Sequence, residues 1–179
     1  MKSGADRTQG PSSHANGTSN GGAARSPTLE ELLGGRLTVL PALLGTTKED
    51  ILREIAGSLC SGRPIDAAHI HQVLKDREGI GTTAMFEGAA VPHGRHAGIE
   101  GVIACLARSP SGVDFAARDG KPTHVFLALL APEEDPKQHL KVLARVSRLF
   151  SRPGLIRKVV DAPGAAEMVR IVFEGDTAP

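Results

Sequence analysis

The chain has few of the side chains on which several classes of protein depend. It has no tryptophan and no tyrosine, and aromatic residues make up 3% of it, so few rings are available to stack on the bases of single-stranded nucleic acid. Its formal net charge is +1, which gives no basic excess to bind a phosphate backbone. These shortages argue against nucleic-acid binding.

Long apolar segments and paired cysteines are also missing. The longest apolar run, residues 125–131, is far shorter than the roughly 20 residues of a membrane span. The N-terminus has no apolar segment of the secretory kind. Cys60 and Cys105 stand outside any Cys-x-x-Cys pattern and are predicted to be small buried side chains in a reducing compartment. We expect a cytoplasmic protein without direct membrane insertion.

Residues 1–27 differ in composition from the rest of the chain. They are rich in Ser, Gly, Asn, Thr and Ala, and burial of so few apolar groups cannot offset the entropy of ordering them. We expect a disordered tail over residues 1–27 and one domain over residues 28–179. A domain of that length can bury a core without disulfides.

Apolar periodicity and helix caps in the domain predict strands that alternate with helices, and therefore an α/β layer fold. The predicted strands cover residues 37–40, 89–91, 101–107 and 124–131. The predicted helices run from Thr46 or Thr47 to Gly62, from Asp66 to Glu78, from Asp135 and Pro136, over residues 154–160 and over residues 163–174, after a short apolar segment at residues 29–33. In the helix that begins at Pro136, the residues predicted to face inward are Leu140, Leu143, Val146 or Ser147, and Phe150.

One histidine stands between a proline and a glycine at the end of an apolar run, in Val91-Pro92-His93-Gly94. Pro92 fixes its own φ and restricts Val91, whereas Gly94 has no Cβ and lets another backbone or a bulky anion approach His93 closely. A neutral imidazole is nucleophilic near pH 7. Such a residue can accept a phosphoryl group, bind a metal or act as a base, or it can be a loop histidine without a role.

Two pairs of histidines, His93 with His96 and His69 with His71, raise the question of a metal site. No His-Glu-x-x-His motif is present, and no third ligand is spaced to join either pair. His69 and His71 do not share a helix face because they are only two residues apart. A metallohydrolase is an alternative that elemental analysis of the purified protein decides.

His139 falls at about the fourth position of the helix that Asp135 caps and Pro136 begins. Unpaired backbone N–H groups and the positive end of the helix dipole lie there. That field disfavours a second positive charge, so we expect His139 to be neutral and able to donate a hydrogen bond to a phosphoryl oxygen. The alternative is a partly exposed helix histidine without a role.

Two motifs occur in order across the domain. The first runs from Arg77-Glu78 at a helix end, through a Gly/Thr turn, to the Pro-His-Gly-Arg sequence that ends at Arg95. The second comprises residues 113–122, the apolar run 125–131 and a His-Leu-x-x-Leu segment that begins at His139. Together they resemble the enzyme IIA domains of the fructose/mannitol class of the bacterial phosphotransferase system, nitrogen-regulatory members included. The resemblance covers roughly residues 37–174, and two motifs in order are more specific than either alone.

The resemblance implies a mixed β-sheet flanked by helices on both faces, no metal or organic cofactor, and a phosphotransferase acting as a phosphohistidine relay. His93 would accept the group, at Nε2 by analogy with the family, from an HPr-like phosphocarrier protein. It would pass the group to an EIIB subunit or another acceptor, in sugar transport or in nitrogen regulation. The implied supporting catalytic residues are His139 and Arg77, the latter otherwise an exposed arginine at a helix end, and Arg95 is a further candidate for phosphate contacts. The remaining candidates, Thr82 and Thr83, either only shape the turn or also hydrogen-bond the phosphate or the His93 ring.

Two further expectations follow from the resemblance. Many regulatory members have Gly-Ile-Gly-Asn-Gly where this chain has residues 84–88, so we expect Met85 and Phe86 at the apolar rim that the donor contacts, with burial under the strand as the alternative. The second function that stays open is a phosphorylation-controlled binding module without sugar transport, which docks a regulated target protein. The chain has no permease domain, but permease subunits are often separate chains.

Overall fold

The computed structural model describes residues 25–178. Nearly all of the predicted tail lies outside these residues. Within the described range, the chain forms both helices and strands as the sequence predicts, with four strands in succession between α3 and α4. The helices are α1 (Leu29–Leu33), α2 (Lys48–Cys60), α3 (Ala67–Ile80), α4 (Pro136–Phe150), α5 (Leu155–Asp161) and α6 (Ala165–Thr177), and the strands are β1 (Leu37–Leu40), β2 (Ala89–Ala90), β3 (His93–His96), β4 (Ile103–Val113) and β5 (Thr123–Pro132).

The strands form one mixed sheet with β4 and β5 at its centre. β1 pairs with β4 in parallel, β4 and β5 are antiparallel, and both β2 and β3 pair with the other side of β5 in parallel. β2 and β3 are therefore two pieces of one edge strand, interrupted at Val91 and Pro92. The predicted mixed sheet is confirmed.

Helices cover both faces of the sheet, which explains the near-continuous apolar runs of its central strands. Leu127 and Leu129 of β5 belong to the core beneath α1, α4, α5 and α6. Their neighbours Phe126, Ala128 and Leu130 belong to the core beneath α2 and α3. Alternate residues of β5 thus point to opposite layers, and the prediction of helices on both faces is confirmed.

Polar caps begin the longer helices where the sequence predicts them. The side chains of Thr47, Asp66 and Asp135 accept hydrogen bonds from backbone N–H groups in the first turns of α2, α3 and α4. Such a cap stabilises a helix by about 1 kcal/mol. Cys60 and Cys105 are both buried and unbonded to each other, as predicted. No helix within residues 25–178 is long and apolar enough to cross a membrane.

Three details differ from the sequence prediction. β3 was not predicted as a strand, and β4 continues to Val113 through an irregularity after Arg108. Leu140, predicted to face inward, is 65% exposed. The buried stripe of α4 passes instead through Val142 and Val146, and two residues correspond to roughly 200° around a helix axis, which turns Leu140 away from the core.

Candidate functional site

His93 is the first residue of β3, at the point where the edge strand resumes after Pro92. The carbonyl of Pro92 still accepts a hydrogen bond from the N–H of Leu129 (2.9 Å), and His93 then lies opposite Leu129 in the register. The rigid proline and the sheet pairing hold the backbone on both sides of the histidine. The imidazole is half-buried at the edge of the sheet.

The hydrogen bonds of the His93 ring determine which nitrogen carries the proton. Nδ1 lies 2.7 Å from the carbonyl oxygen of Val91, and a carbonyl can only accept, so Nδ1 is protonated and donates. Nε2 therefore holds the lone pair, and it accepts a hydrogen bond from Nε of Arg77 at 2.9 Å. The nucleophilic atom of His93 is Nε2.

Arg77 reaches His93 from the last turn of α3. Its Nη1 also donates to the carbonyl oxygen of Gly81, just beyond the helix end (3.0 Å). This second bond holds the guanidinium at the site, and Nη2 has no acceptor among residues 25–178. A planar fork with an open donor next to Nε2 suits the oxygens of a phosphoryl group.

His139 approaches His93 from the opposite layer, in the first turn of α4. The two ring centroids are 5.5 Å apart, with the planes inclined at 51°. Burial is the main cause that lowers the pKa of each ring. The charge of Arg77 lowers the pKa of His93 further, and the charges of His93, Arg95 and Arg77 lower that of His139. Both rings are therefore neutral at pH 7, with burial as the largest cause.

A cleft of about 530 Å³ opens beside the two rings. It collects four of the six site residues that the sequence suggested, His93, His139, Arg77 and Arg95. A larger cleft of about 630 Å³ lies beside α5 and α6 and contains none of them. The smaller cleft is therefore the candidate functional site.

The side chains of Thr82 and Thr83 are engaged away from this cleft. The Thr82 hydroxyl donates to the carbonyl oxygen of Phe115 (3.0 Å). The Thr83 hydroxyl and backbone N–H both donate to the carboxylate of Glu78. These bonds fix the turn between α3 and β2, and a phosphate contact of either threonine stays a prediction.

Glu78 has a structural role, although in the sequence it was noted only as part of the Arg77-Glu78 motif. Its carboxylate is buried and is held by Lys48 Nζ (3.0 Å), which also lies 4.7 Å from the centroid of the Phe115 ring. A buried carboxylate needs such partners. The only sequence signal was its place next to Arg77, since burial of a helix glutamate is not visible in a pattern.

The remaining histidines lie in separate places. The ring of His69 is 5.5 Å from that of His96, and Nε2 of His71 is 3.2 Å from a carboxylate oxygen of Glu49. Among residues 25–178, no three side chains of the metal-binding types converge. The pairings seen in the sequence, His93 with His96 and His69 with His71, therefore differ from the contacts that the fold makes.

The turn before β2 places its two apolar residues differently. Met85 packs against the core beneath α4, whereas Phe86 is 66% exposed. Neither lines the cleft. The exposed apolar side chains that do line it are Ile80, at the end of α3, and Leu140, in α4.

Fold and site together define the class of protein, an α/β domain that holds a neutral imidazole between a second neutral histidine and an arginine at the edge of its sheet. Residues 36–175 match the model of the family described as "Phosphoenolpyruvate-dependent sugar phosphotransferase system, EIIA 2". The chain belongs to this family, whose members transfer phosphoryl groups. The resemblance seen in the sequence is confirmed.

Known relatives carry both regulatory and sugar-specific names. The chain is 36% identical to a nitrogen regulatory protein of Bradyrhizobium diazoefficiens over 121 residues, which is 68% of this chain and 79% of the relative. The crystal structure of nitrogen regulatory protein IIA-Ntr from Neisseria meningitidis has a TM-score of 0.71 and 32% identity, with 79% of this chain and 99% of that one covered. Enzyme IIAMTL of Escherichia coli, solved in complex with phosphorylated enzyme IIBMTL, has a TM-score of 0.61 and 20% identity, with 75% and 93% covered. The last likeness concerns the fold alone.

Proposed function

We propose that the protein carries a phosphoryl group on Nε2 of His93, which it takes from the phosphohistidine of an HPr-like protein. The observation that carries this proposal is the hydrogen bond from Nδ1 to the carbonyl oxygen of Val91. It fixes the tautomer whose lone pair lies on Nε2, in the cleft and next to Arg77. An EIIB subunit is the acceptor in the sugar-transport version of the relay.

The transfer is a displacement at phosphorus. As the Nε–H of Arg77 turns from Nε2 to a phosphoryl oxygen, the Nε2 lone pair of His93 forms the new P–N bond while the P–N bond to the donor imidazole breaks, and the donor ring leaves with its electron pair. The His93 ring gains positive charge in this step, and the Val91 carbonyl oxygen stabilises the Nδ1–H that carries it. Phosphoryl transfer has a loose transition state with charge on the equatorial oxygens, and the arginine and second histidine stabilise that charge.

The test is incubation with phosphoenolpyruvate, enzyme I and an HPr-like protein. We expect one acid-labile phosphoryl group per chain, located by peptide mass spectrometry at His93 and by phosphorus NMR at Nε2. A protein that takes up no phosphate under conditions in which the HPr-like donor is itself phosphorylated would contradict the proposal.

His139→Ala is expected to slow the transfer by roughly 10- to 100-fold, because a hydrogen bond to a charged group contributes about 1–3 kcal/mol. His139→Gln retains an N–H donor and is the matched control, which should recover much of the rate. Stopped-flow measurement of transfer from the phosphorylated donor separates the two variants. Wild-type rates in both would leave His139 as a packing residue.

Two exposed apolar side chains lie at the cleft, where a donor protein must approach. Ile80 is 85% exposed and Leu140 is 65% exposed. Large apolar residues in such positions mark contact sites for other proteins. We propose that both contact the donor, in place of the expected pair Met85 and Phe86.

Changing Ile80 and Leu140 together to Ser is expected to raise the KM for the donor protein about 30-fold, since apolar anchors contribute roughly 1 kcal/mol or more each. Phosphorylation by phosphoramidate, a small donor that needs no protein contact, should stay unchanged. Leu44→Ser is the control, because Leu44 is 86% exposed and does not line the cleft. An equal loss of phosphorylation rate with the donor protein and with phosphoramidate would show that the substitutions damage the phosphoryl site and not the docking surface.

The second candidate function is a regulatory module whose phosphorylation state determines which target protein it binds. The names of the relatives from B. diazoefficiens and N. meningitidis favour it. A phosphoryl group adds nearly two negative charges to a cleft lined by Arg77 and Arg95. The affinity for a regulated target then differs between the two forms, and the difference shrinks as salt rises.

The domain that performs this function is proposed to span residues 28–179 and to act in the cytoplasm. Thr28 caps α1 and Leu29 and Leu33 are buried in the core. The N–H of Leu29 also donates to Asp176 of α6 (2.7 Å). These contacts join α1 to the rest of the domain, ahead of residue 36 where the family match begins.

A further inference from the structure

α3 packs directly onto the backbone of β3 at Gly94. A Cβ built on Gly94 would lie 2.4 Å from Cγ1 of Val73 and 3.6 Å from Cδ1 of Leu130. Carbon atoms in van der Waals contact are about 3.5–4.0 Å apart, so a Cβ here requires the Val73 side chain, the helix or the strand to move, and χ1 of a valine in a helix has one strongly preferred rotamer. The backbone of Gly94 has no positive φ. The glycine is therefore required for the space it leaves and not for its conformational freedom.

The same face of α3 meets β3 at three levels. His69 contacts His96, Val73 contacts Gly94, and Arg77 contacts His93. Residues four apart lie one above another on a helix, about 6 Å along the axis. Val73 is thus one turn from the arginine whose hydrogen bond holds the lone pair of Nε2.

The contact between Val73 and Gly94 affects the distance between Arg77 and His93. A hydrogen bond weakens steeply when its distance or angle departs from the optimum, and close-packed elements transmit a displacement rather than absorb it. A separation of α3 and β3 by about 1 Å at Val73, the amount needed to bring 2.4 Å to an ordinary contact, would take Nε of Arg77 beyond hydrogen-bond distance of His93.

We propose that Val73 and Gly94 are positioning residues for the phosphoryl site. Their contact sets the separation of α3 and β3 at which Arg77 reaches Nε2 of His93. The consequence for phosphoryl transfer rests on the proposed function, whereas the consequence for the His93 ring does not. The absence of a side chain at Gly94 therefore determines whether Arg77 of α3 can donate its hydrogen bond to His93 of β3.

The test is Gly94→Ala, followed by NMR titration of the His93 ring and by the rate of transfer from the phosphorylated donor. We expect the pKa of His93 to rise, because the charge of Arg77 lowers it in the wild type, and we expect the transfer rate to fall at least tenfold. Adding Val73→Ala removes Cγ1, the atom that the new Cβ meets. The double variant should return both measurements towards wild type.

Gly79→Ala is the matched control in the same helix. A Cβ there has no atom within 4 Å, so both measurements should stay at wild-type values. Val73→Ile enlarges the contact from the helix side and keeps Gly94, so it should raise the pKa of His93 even if Gly94→Ala does not fold. An unchanged His93 pKa in Val73→Ile, or in a folded Gly94→Ala, would overturn the proposal.

Rescue gives a further criterion. A folded double variant that keeps the raised pKa would also overturn the proposal, because the clash would then not be the cause. A wild-type protein that takes up no phosphate would refute the proposed function, while the NMR titration would still decide the role of Val73 and Gly94.

Discussion

A His93→Gln variant is expected to accept no phosphoryl group, with a rate of uptake at least 10³-fold below that of the wild type, since a missing nucleophile removes the covalent step itself. Glutamine is close to histidine in size and can accept the hydrogen bond from Arg77, but its amide has no nucleophilic lone pair on nitrogen. His93 is half-buried at the edge of the sheet, so the free energy of unfolding should change by only about 1 kcal/mol. Phosphate uptake and thermal unfolding of the same preparation measure both.

The matched control is His96→Gln, on the same strand and outside the cleft lining. It should be phosphorylated at the wild-type rate. Acid-labile phosphate on His93→Gln, at any position of the chain, would show that another residue is the acceptor. A large loss of stability in that variant would show instead that His93 is mainly a structural residue.

The features that sequence predicted best are those determined by neighbouring residues along the chain. Asp135 and Pro136 define the start of α4, and that start alone places His139 in the first turn. The apolar run of β5 indicated burial on both faces because each layer receives alternate side chains. The bond from Nδ1 of His93 to Val91 also spans only two residues, but it was not predicted, since the choice of Nε2 came from the family resemblance alone.

Features that depend on distant residues escaped the sequence. The segment His93–His96 has neither alternation nor β-branched residues, and it forms a strand because β5 offers it a parallel partner. The spacing of Leu140 from the other apolar residues of α4 is compatible with either the buried or the exposed face of the helix. Only the packing of α4 on the sheet decides which face is buried. The family resemblance placed Arg77 beside His93, but no pattern of residue types displays the close packing of Val73 on Gly94 by which we propose that their distance is set.

Arg77→Ala is expected to slow phosphoryl acceptance by roughly 10²–10³-fold, equivalent to about 3–4 kcal/mol of transition-state stabilisation. The guanidinium is held by Gly81 and by Nε2 of His93, so it lies next to any group bound at Nε2. Arg77→Lys keeps the charge but loses the planar fork, and it should recover only part of the rate. Full recovery with lysine would show that charge alone is needed.

The same variant is expected to change the dependence on pH. In the wild type, burial and the charge of Arg77 lower the pKa of His93 below its ordinary value, so the reactive neutral ring persists to lower pH than in an unperturbed histidine. The rate therefore falls to half its plateau at a pH below about 6.5. Arg77→Ala removes a positive charge, so the pKa of His93 rises and the acid decline moves to higher pH.

The free energy of unfolding depends on pH with the same sign as the transfer rate. With the folded pKa of His93 below the unfolded value of about 6.5, the unfolded chain binds more protons, and the free energy of unfolding decreases as the pH falls through the interval between the two values. The contribution of His93 to the free energy of unfolding is complete above that interval and absent below it. Denaturant unfolding of wild type and Arg77→Ala between about pH 7.5 and 5.5, roughly one unit on either side of the unfolded value, should show a smaller loss of stability in the variant. An equal loss in both, together with an unshifted acid limb of the transfer rate, would show that Arg77 does not act on the His93 ring.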